Sequence, residues 1–276
     1  MSHWIRLCAK VEQAEKHLKN LRIEWEKYRA NAFLVKAKDD AQTRERVWYL
    51  AHAYPIPPEM PLIVGDAVHC LRCTLDHVIY RLVSVCTSDP QALKQLYYPM
   101  GRDAAEFADR LKAASTYKPK GGAALQRLRP EAVEAIEAFA AFEGGFGTLL
   151  WGVHCLDIID KHHVLLTVAS SNTTHSMQPS VIERYKDGIG LEDEYTPAEE
   201  ALIFQTESLA RFPLKAGTEL ARVPIADVNE NMSFMFALAF GEPKAMEGKP
   251  IIQTLFQASL FIRNMIRTFD GMGLFV

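Results

Sequence analysis

The chain has no run approaching the ~20 consecutive apolar residues that a membrane-spanning helix requires, and no apolar stretch follows its N-terminus as in a secretory signal. It therefore reads as a cytoplasmic protein with no membrane partner. Cysteine is scarce and odd in number: Cys8, Cys70, Cys73, Cys86 and Cys155. Set mostly in apolar helical pattern, these read as reduced thiols, which excludes a disulfide-stapled scaffold. An excess of one charge is also lacking, since 31 Lys and Arg stand against 34 Asp and Glu. A net charge of −3 argues against an electrostatic grip on long nucleic acid, although a local basic patch is compatible with it. There is no internal repeat and no low-complexity segment. Gly121-Gly122, beside Lys118, Lys120, Arg127 and Arg129, lacks the spacing of a P-loop and reads as a connector.

What is present points to an α+β protein, an antiparallel helical bundle with an antiparallel β-sheet inserted before the C-terminal helix. One domain is expected over 1–276, helical over 1–165 and 250–276 and mainly β over 166–249. Leu7, Val11, Ala14, Leu18, Leu21, Trp25 and Tyr28 alternate spacings of four and three, the seam of a long amphipathic helix. Residues 46–53 have the alternating, aromatic and β-branched character of a strand. Further helices are expected over 103–115 and 131–142 and from Pro250 onward. Strands are expected over 164–171, 178–185, 218–225 and 231–240, while 197–210 is ambiguous between helix and loop.

The organising stretch is 62–86, a helix introduced by Pro55, Pro57, Pro58 and Pro61. At roughly 100° per residue, Val64, Ala67, Val68, Leu71, Leu75, Val78, Ile79 and Leu82 share one half of the wheel. Asp66, His69, Cys73, Asp76, His77 and Tyr80 occupy the other half, with Arg72 at the edge. A solvated stripe is ordinarily rich in Lys and Glu, which form helix well. This one has neither, so local propensity did not place its Asp, His and Cys. A second helix, 148–165, is apolar almost all round and should be buried. Into it are set His154, Asp157, Asp160, Lys161, His162 and His163. His154, Asp157 and Lys161 cluster on one side, whereas Asp160 falls among Leu149, Val153 and Leu156. A carboxylate there is costly unless paired, so Asp160 is expected to face the His and Arg side chains of the first helix.

Three chemistries fit these residues. Arg72 and His77 form an Arg-x4-His pair. In metal-free RNA cleavage an imidazole moves the proton of an attacking 2′-OH, and an arginine holds the phosphate. The five-residue step separates the two by roughly 140°, and the plainer alternative is an ordinary Arg72–Asp76 helical salt bridge. Asp66-x-x-His69 and Asp160-x-x-His163 have the carboxylate-x-x-His spacing of helical metal sites, but with Asp where Glu is usual. Cys70-x-x-Cys73 lacks a second pair and reads as packing. No cofactor is expected.

With both helices in view, Gly65-Asp66-x-x-His69-x-Leu71-Arg72-x-x-Leu75-Asp76-His77 and Leu156-Asp157-x-x-Asp160-Lys161-His162 resemble the two motifs of an uncharacterised bacterial helical family. The first motif is also similar to the Arg-x4-6-His signature of HEPN domains, helical bundles that act as dimeric ribonucleases in toxin and defence systems. That resemblance implies a metal-independent ribonuclease or nucleic-acid-processing protein, with RNA and a second copy of the chain as partners. Arg72 would hold the phosphate and His77 act as general acid or base. Asp66, His69 and Asp76 would tune them, and Asp160, Lys161 and His162 would support them from the second helix. The chain departs from HEPN domains in its β insertion and in Cys73, which follows the arginine where a polar residue is usual. The alternatives are a non-catalytic metal- or small-anion-binding module, and a polar network that only fixes helix register.

Overall fold

Six α-helices and seven strands make up the described part of the chain. The computed structural model describes residues 3–162, 168–174, 214–227, 234–241 and 246–276. The fold is α+β, and it divides into two compact units. The first comprises Met1–Trp25, Pro57–Val168 and Phe240–Val276; the second comprises Glu26–Ile56 and Ala169–Ala239. The division falls inside the long first helix.

The first unit is the helical bundle. Helix α1 (His3–Ala32) buries Leu7, Val11, Ala14, Leu18, Leu21 and Trp25, which is the seam its spacing predicts. Helix α2 (Glu59–Ser84) starts one turn earlier than the apolar pattern suggests. It takes Pro61 into its first turn, where the missing N–H would have had no intrahelical acceptor. Its apolar half is fully buried, from Val64 through Leu71, Leu75 and Ile79 to Leu82. Each such side chain contributes about 1.5–3 kcal/mol by leaving water.

Helix α3 (Ala104–Ser115) begins at Asp103, whose carboxylate accepts from the Glu106 N–H at 2.8 Å. Helix α4 (Pro130–Phe139) ends three residues before the expected stop, on Ala140 in the left-handed region at φ 43°. Helices α5 (Thr148–His162) and α6 (Ile251–Gly271) complete the bundle, with α2 packed against both. Glu15 of α1 ties to α6, accepting from Arg263 at 2.8 and 3.0 Å and from Ser259 at 3.1 Å.

The connector after α3 is more ordered than its Lys and Gly content suggests. Strands β3 (Thr116–Tyr117) and β4 (Leu125–Gln126) pair across it. Arg127 is buried and donates to the carbonyls of Ala92, Ala113 and Ala114. This arginine closes the C-terminal end of α3 and has no face left for a phosphate.

The second unit contains a strand that sequence pattern does not reveal, β1 (Phe33–Asp40), which follows α1 without a break. It pairs antiparallel with β2 (Glu45–Ala53), running from Phe33↔Ala53 to Asp40↔Glu45. Asp40 forms the turn by accepting from the N–H groups of Gln42 and Thr43. Strand β6 (Glu219–Pro224) joins the other edge of β2, giving the order β1-β2-β6. Strands β5 (Val168–Thr174) and β7 (Phe234–Phe240) form a separate pair. The sheet is thus not a pure insertion before the last helix, because two of its strands precede α2. Leu50, Leu214 and Leu220 are its core, covered by Phe33, Val35 and a Phe236 ring stacked on Phe33 at 4.1 Å. The expected strand at 178–185 and the ambiguous stretch 197–210 lie outside the described residues.

Candidate functional site

Helices α2 and α5 pack along one side, and two polar clusters occupy the seam between them. The first is centred on Arg72, only 5 % exposed. One guanidinium nitrogen donates to Asp76 Oδ1 at 2.5 Å, and Nε donates to His154 Nδ1 at 3.2 Å. Asp76 Oδ1 also accepts the backbone N–H of Tyr98 at 3.0 Å. Because His154 Nδ1 is an acceptor here, this ring is neutral with its hydrogen on Nε2. Burial and then the Arg72 charge hold it there, drawing its pKa from 6.5 down to about 4.

The second cluster is centred on Asp157, whose side chain is 6 % exposed. One oxygen accepts from Lys161 Nζ at 2.7 Å, one helical turn on in α5. The other meets His69 Nδ1 at 3.2 Å, across the seam. A carboxylate can only accept, so Nδ1 carries the hydrogen and Nε2 presents a lone pair. His69 itself is 46 % exposed. Cys73 Sγ lies 3.3 Å from that Nε2 and 4.0 Å from Nδ1. The sulfur is thus beside the ring, not along the Nε2 lone-pair axis.

The remaining expected residues are placed differently from one another. Asp160 is half-buried, with its carboxylate against the α2 backbone at Gly65. A Cβ on Gly65 would meet its Oδ1 at 2.6 Å. That contact explains a glycine in mid-helix, a choice costing about 1 kcal/mol relative to alanine. Burial, followed by Asp157 and Asp66, pushes the Asp160 carboxyl up from its ordinary value, against the pull of His69 and Lys161. Asp66 is exposed near the start of the stripe. His77 is exposed and has no hydrogen-bond partner among the described residues. His162 ends α5, and its side chain lies outside the described residues, as does His163.

Two expectations need correction. Asp160 does lie against α2, at Gly65, but the deeper carboxylate, and the one that meets His69 across the seam, is Asp157. Helix α5 is also not buried all round, since Ile158 and Lys161 face solvent. Turning the helix toward water on that side carries Asp157 inward and leaves Asp160 at the margin. His154 and Asp157 are therefore the residues that reasoning from the greasiest face passes over. Their signal was present: with Lys161 they form an i, i+3, i+7 row, which is one face of a helix. Arg72 and His77 are not brought together, because one is buried and paired while the other points to solvent.

Protein-family models, curated proteins and solved structures were all compared with the chain, and none matches. The geometry must therefore carry any functional reading. Among the described residues, no group of three or more His, Cys, Asp or Glu side chains is arranged to hold a metal ion. No described helix is long and apolar enough to cross a membrane.

Proposed function

We propose that the chain is a metal-independent acid–base catalyst acting on a phosphodiester, the ribonuclease or nucleic-acid-processing class that the Arg-x4-His resemblance implies. The proton carrier in this reading is His69 rather than His77. One observation supports it above the others: a half-exposed imidazole has one nitrogen fixed on a buried carboxylate, while the other has only the Cys73 sulfur beside it. An orienting carboxylate fixes the tautomer and stabilises the imidazolium once the ring has taken a proton. A 2′-OH approaching Nε2 would lose its proton to His69 as its oxygen attacks the adjacent phosphorus. The Lys161 ammonium, beside the same carboxylate and open to solvent, is placed to offset charge gathering on the phosphate. Arg72 acts at one remove, tying α2 to α5 through His154. RNA as substrate and a homodimer as the working form belong to this same proposal.

Cleavage of single-stranded RNA in the presence of a chelator tests it. His69→Ala and His69→Gln should lose cleavage by about 10²–10⁴-fold with melting little changed, whereas His77→Ala should cleave like the wild type. A wild type that leaves RNA intact, or a His69→Gln that cleaves normally, overturns the reading. A second reading, a polar network that only fixes helix register, draws support from the burial of Arg72 between His154 and Asp76. It expects Arg72 and Asp157 variants to lower stability while no variant changes any turnover.

A further inference from the structure

The His69 cluster contains a group that the phosphodiester reading leaves unused. Cys73 Sγ stands 3.3 Å from His69 Nε2, and His69 Nδ1 is held by Asp157 at 3.2 Å. The order is thiol, imidazole and buried carboxylate, which is how a sulfur nucleophile is activated by an oriented base. The other four thiols lack this setting. Cys8 and Cys70 are buried. Cys155 is pushed up to about 11 by burial. Cys86 is exposed, but its thiol contact is with the Leu82 carbonyl.

The groups around Cys73 pull in both directions. Burial raises its thiol, as do Asp157 of α5 and Asp76 of α2, while Lys10 of α1 and Lys161 of α5 lower it. A thiol that is not freely ionised needs a base within reach at the moment of attack, and His69 is that base.

The chemistry that suits this sulfur is limited by its place in a helix. Around Cys73 the backbone N–H groups of α2 are spent on i−4 carbonyls, so no pair of free N–H donors faces the thiol as an oxyanion hole. An acyl transfer through a tetrahedral oxyanion would go unsupported. A conjugate addition delocalises the developing charge over an enolate and so depends less on such a hole.

We propose that Cys73 is a covalent modification site for soft carbon electrophiles, α,β-unsaturated carbonyl compounds in particular, with His69 as its base. The S–H proton passes to His69 Nε2 once the ring has rotated to bring the Nε2 lone pair, which at rest points past the sulfur, onto it, and the sulfur lone pair forms the C–S bond at the β-carbon. The C=C π pair moves to the α-carbon, which then takes the proton back from Nε2. Atoms and electrons balance with no further reactant. The adduct, carried on a sulfur 3.3 Å from Nε2, crowds the approach to His69. The inference rests on His69 being held as a base, and not on RNA being its substrate.

N-ethylmaleimide, with adducts at each cysteine followed by mass spectrometry at neutral pH, provides the test. In the wild-type protein Cys73 should react several-fold faster than the more exposed Cys86. His69→Ala should slow Cys73 at least ten-fold and leave Cys86 unchanged, even though removing the ring opens access to the sulfur. His69→Gln, which keeps the bulk, should do the same, and Asp157→Asn should give an intermediate rate. A Cys73 that reacts no faster than Cys86, or that keeps its rate in both His69 variants, overturns the proposal. RNA cleavage read on the same samples separates the two ideas. Cleavage absent with Cys73 fast removes only the phosphodiester reading, and cleavage present with Cys73 slow removes only this one.

Discussion

The two ends of the α2–α5 seam use the same residue types to opposite effect. At the Arg72 end, a buried arginine is held between a partly buried aspartate and a partly buried histidine, and the aspartate also accepts a backbone N–H. At the His69 end, one aspartate, one lysine and one half-exposed histidine leave a ring nitrogen with no charged partner. A buried arginine held on partners from both helices fixes their register, because a slip strands its charge in the interior. A cluster with a held imidazole and an open lone pair can exchange protons with a visitor. Composition alone does not separate these roles; the difference lies in which atoms remain unspent.

If that contrast is real, stability should depend on the Arg72 end and much less on the His69 end. The largest effect is expected from Asp76→Ala. It leaves the Arg72 guanidinium buried with only His154 beside it, and removes the acceptor of the Tyr98 N–H. Losing one partner of a buried pair costs about 3–5 kcal/mol, readable as a lower urea midpoint. Replacing both members together, Arg72→Met with Asp76→Leu, should cost less than Asp76→Ala alone. If the double variant is the worse of the two, Arg72 contributes through packing and not through its charge.

Acid should probe the same end. His154 takes up a proton at about 4 in the folded protein and at 6.5 when unfolded. The unfolded chain therefore binds more protons between those values, so stability is full above pH 6.5 and falls as pH drops toward 4. The loss from this residue is at most roughly 3 kcal/mol. Asp160 works in the reverse sense, since its raised carboxyl favours the folded state at low pH and disfavours it as pH rises past the unfolded value. Urea midpoints across this range should therefore fall more gently in the wild type than in Asp160→Asn, which lacks the opposing group.

Much of the helical unit was legible in the sequence. The buried half of α2 follows directly from its 3.6-residue periodicity, and Asp103, Pro61 and Pro130 mark helix starts by what their side chains can and cannot bond. Strand β1 was not legible. FLVKAKDD alternates only weakly and abuts the end of α1 with no turn residue between them, so the helical period masks it. The site was half legible. An α2 stripe of Asp, His and Cys announced itself by lacking Lys and Glu. Asp160 does lie against that helix, at Gly65, but which carboxylate of α5 meets His69 depended on a helix rotation set by tertiary packing, and the apolar pattern did not single out Asp157. Arg127 shows the same limit: a basic residue near glycines reads as loop, whereas its carbonyl acceptors come from segments up to 35 residues away.

A smaller perturbation falls between the two ends. Gly65→Ala places a methyl group against the Asp160 carboxylate, which must swing away from the α2 backbone. Overpacking of this kind costs about 1–3 kcal/mol, less whatever the better helix former returns. Gly65→Ala in an Asp160→Ala background should recover that loss, because the clashing atoms are gone. Without recovery, the glycine is needed for a reason other than Asp160.

The smallest effect on stability is expected from His69→Ala, and it is the sharpest test of the contrast. Removing the ring takes one hydrogen bond from Asp157 but leaves the Lys161 ammonium on the other oxygen, so the buried charge stays paired. The ring is nearly half exposed, so little apolar surface is lost and water can reach the freed oxygen. The cost should be within about 1 kcal/mol, several times smaller than for Asp76→Ala. Asp157→Ala strands Lys161 and His69 at a half-exposed rim and should fall between them. A His69→Ala protein as unstable as Asp76→Ala would mean that this imidazole is a structural tie like His154, and the seam would then have no end left open for chemistry.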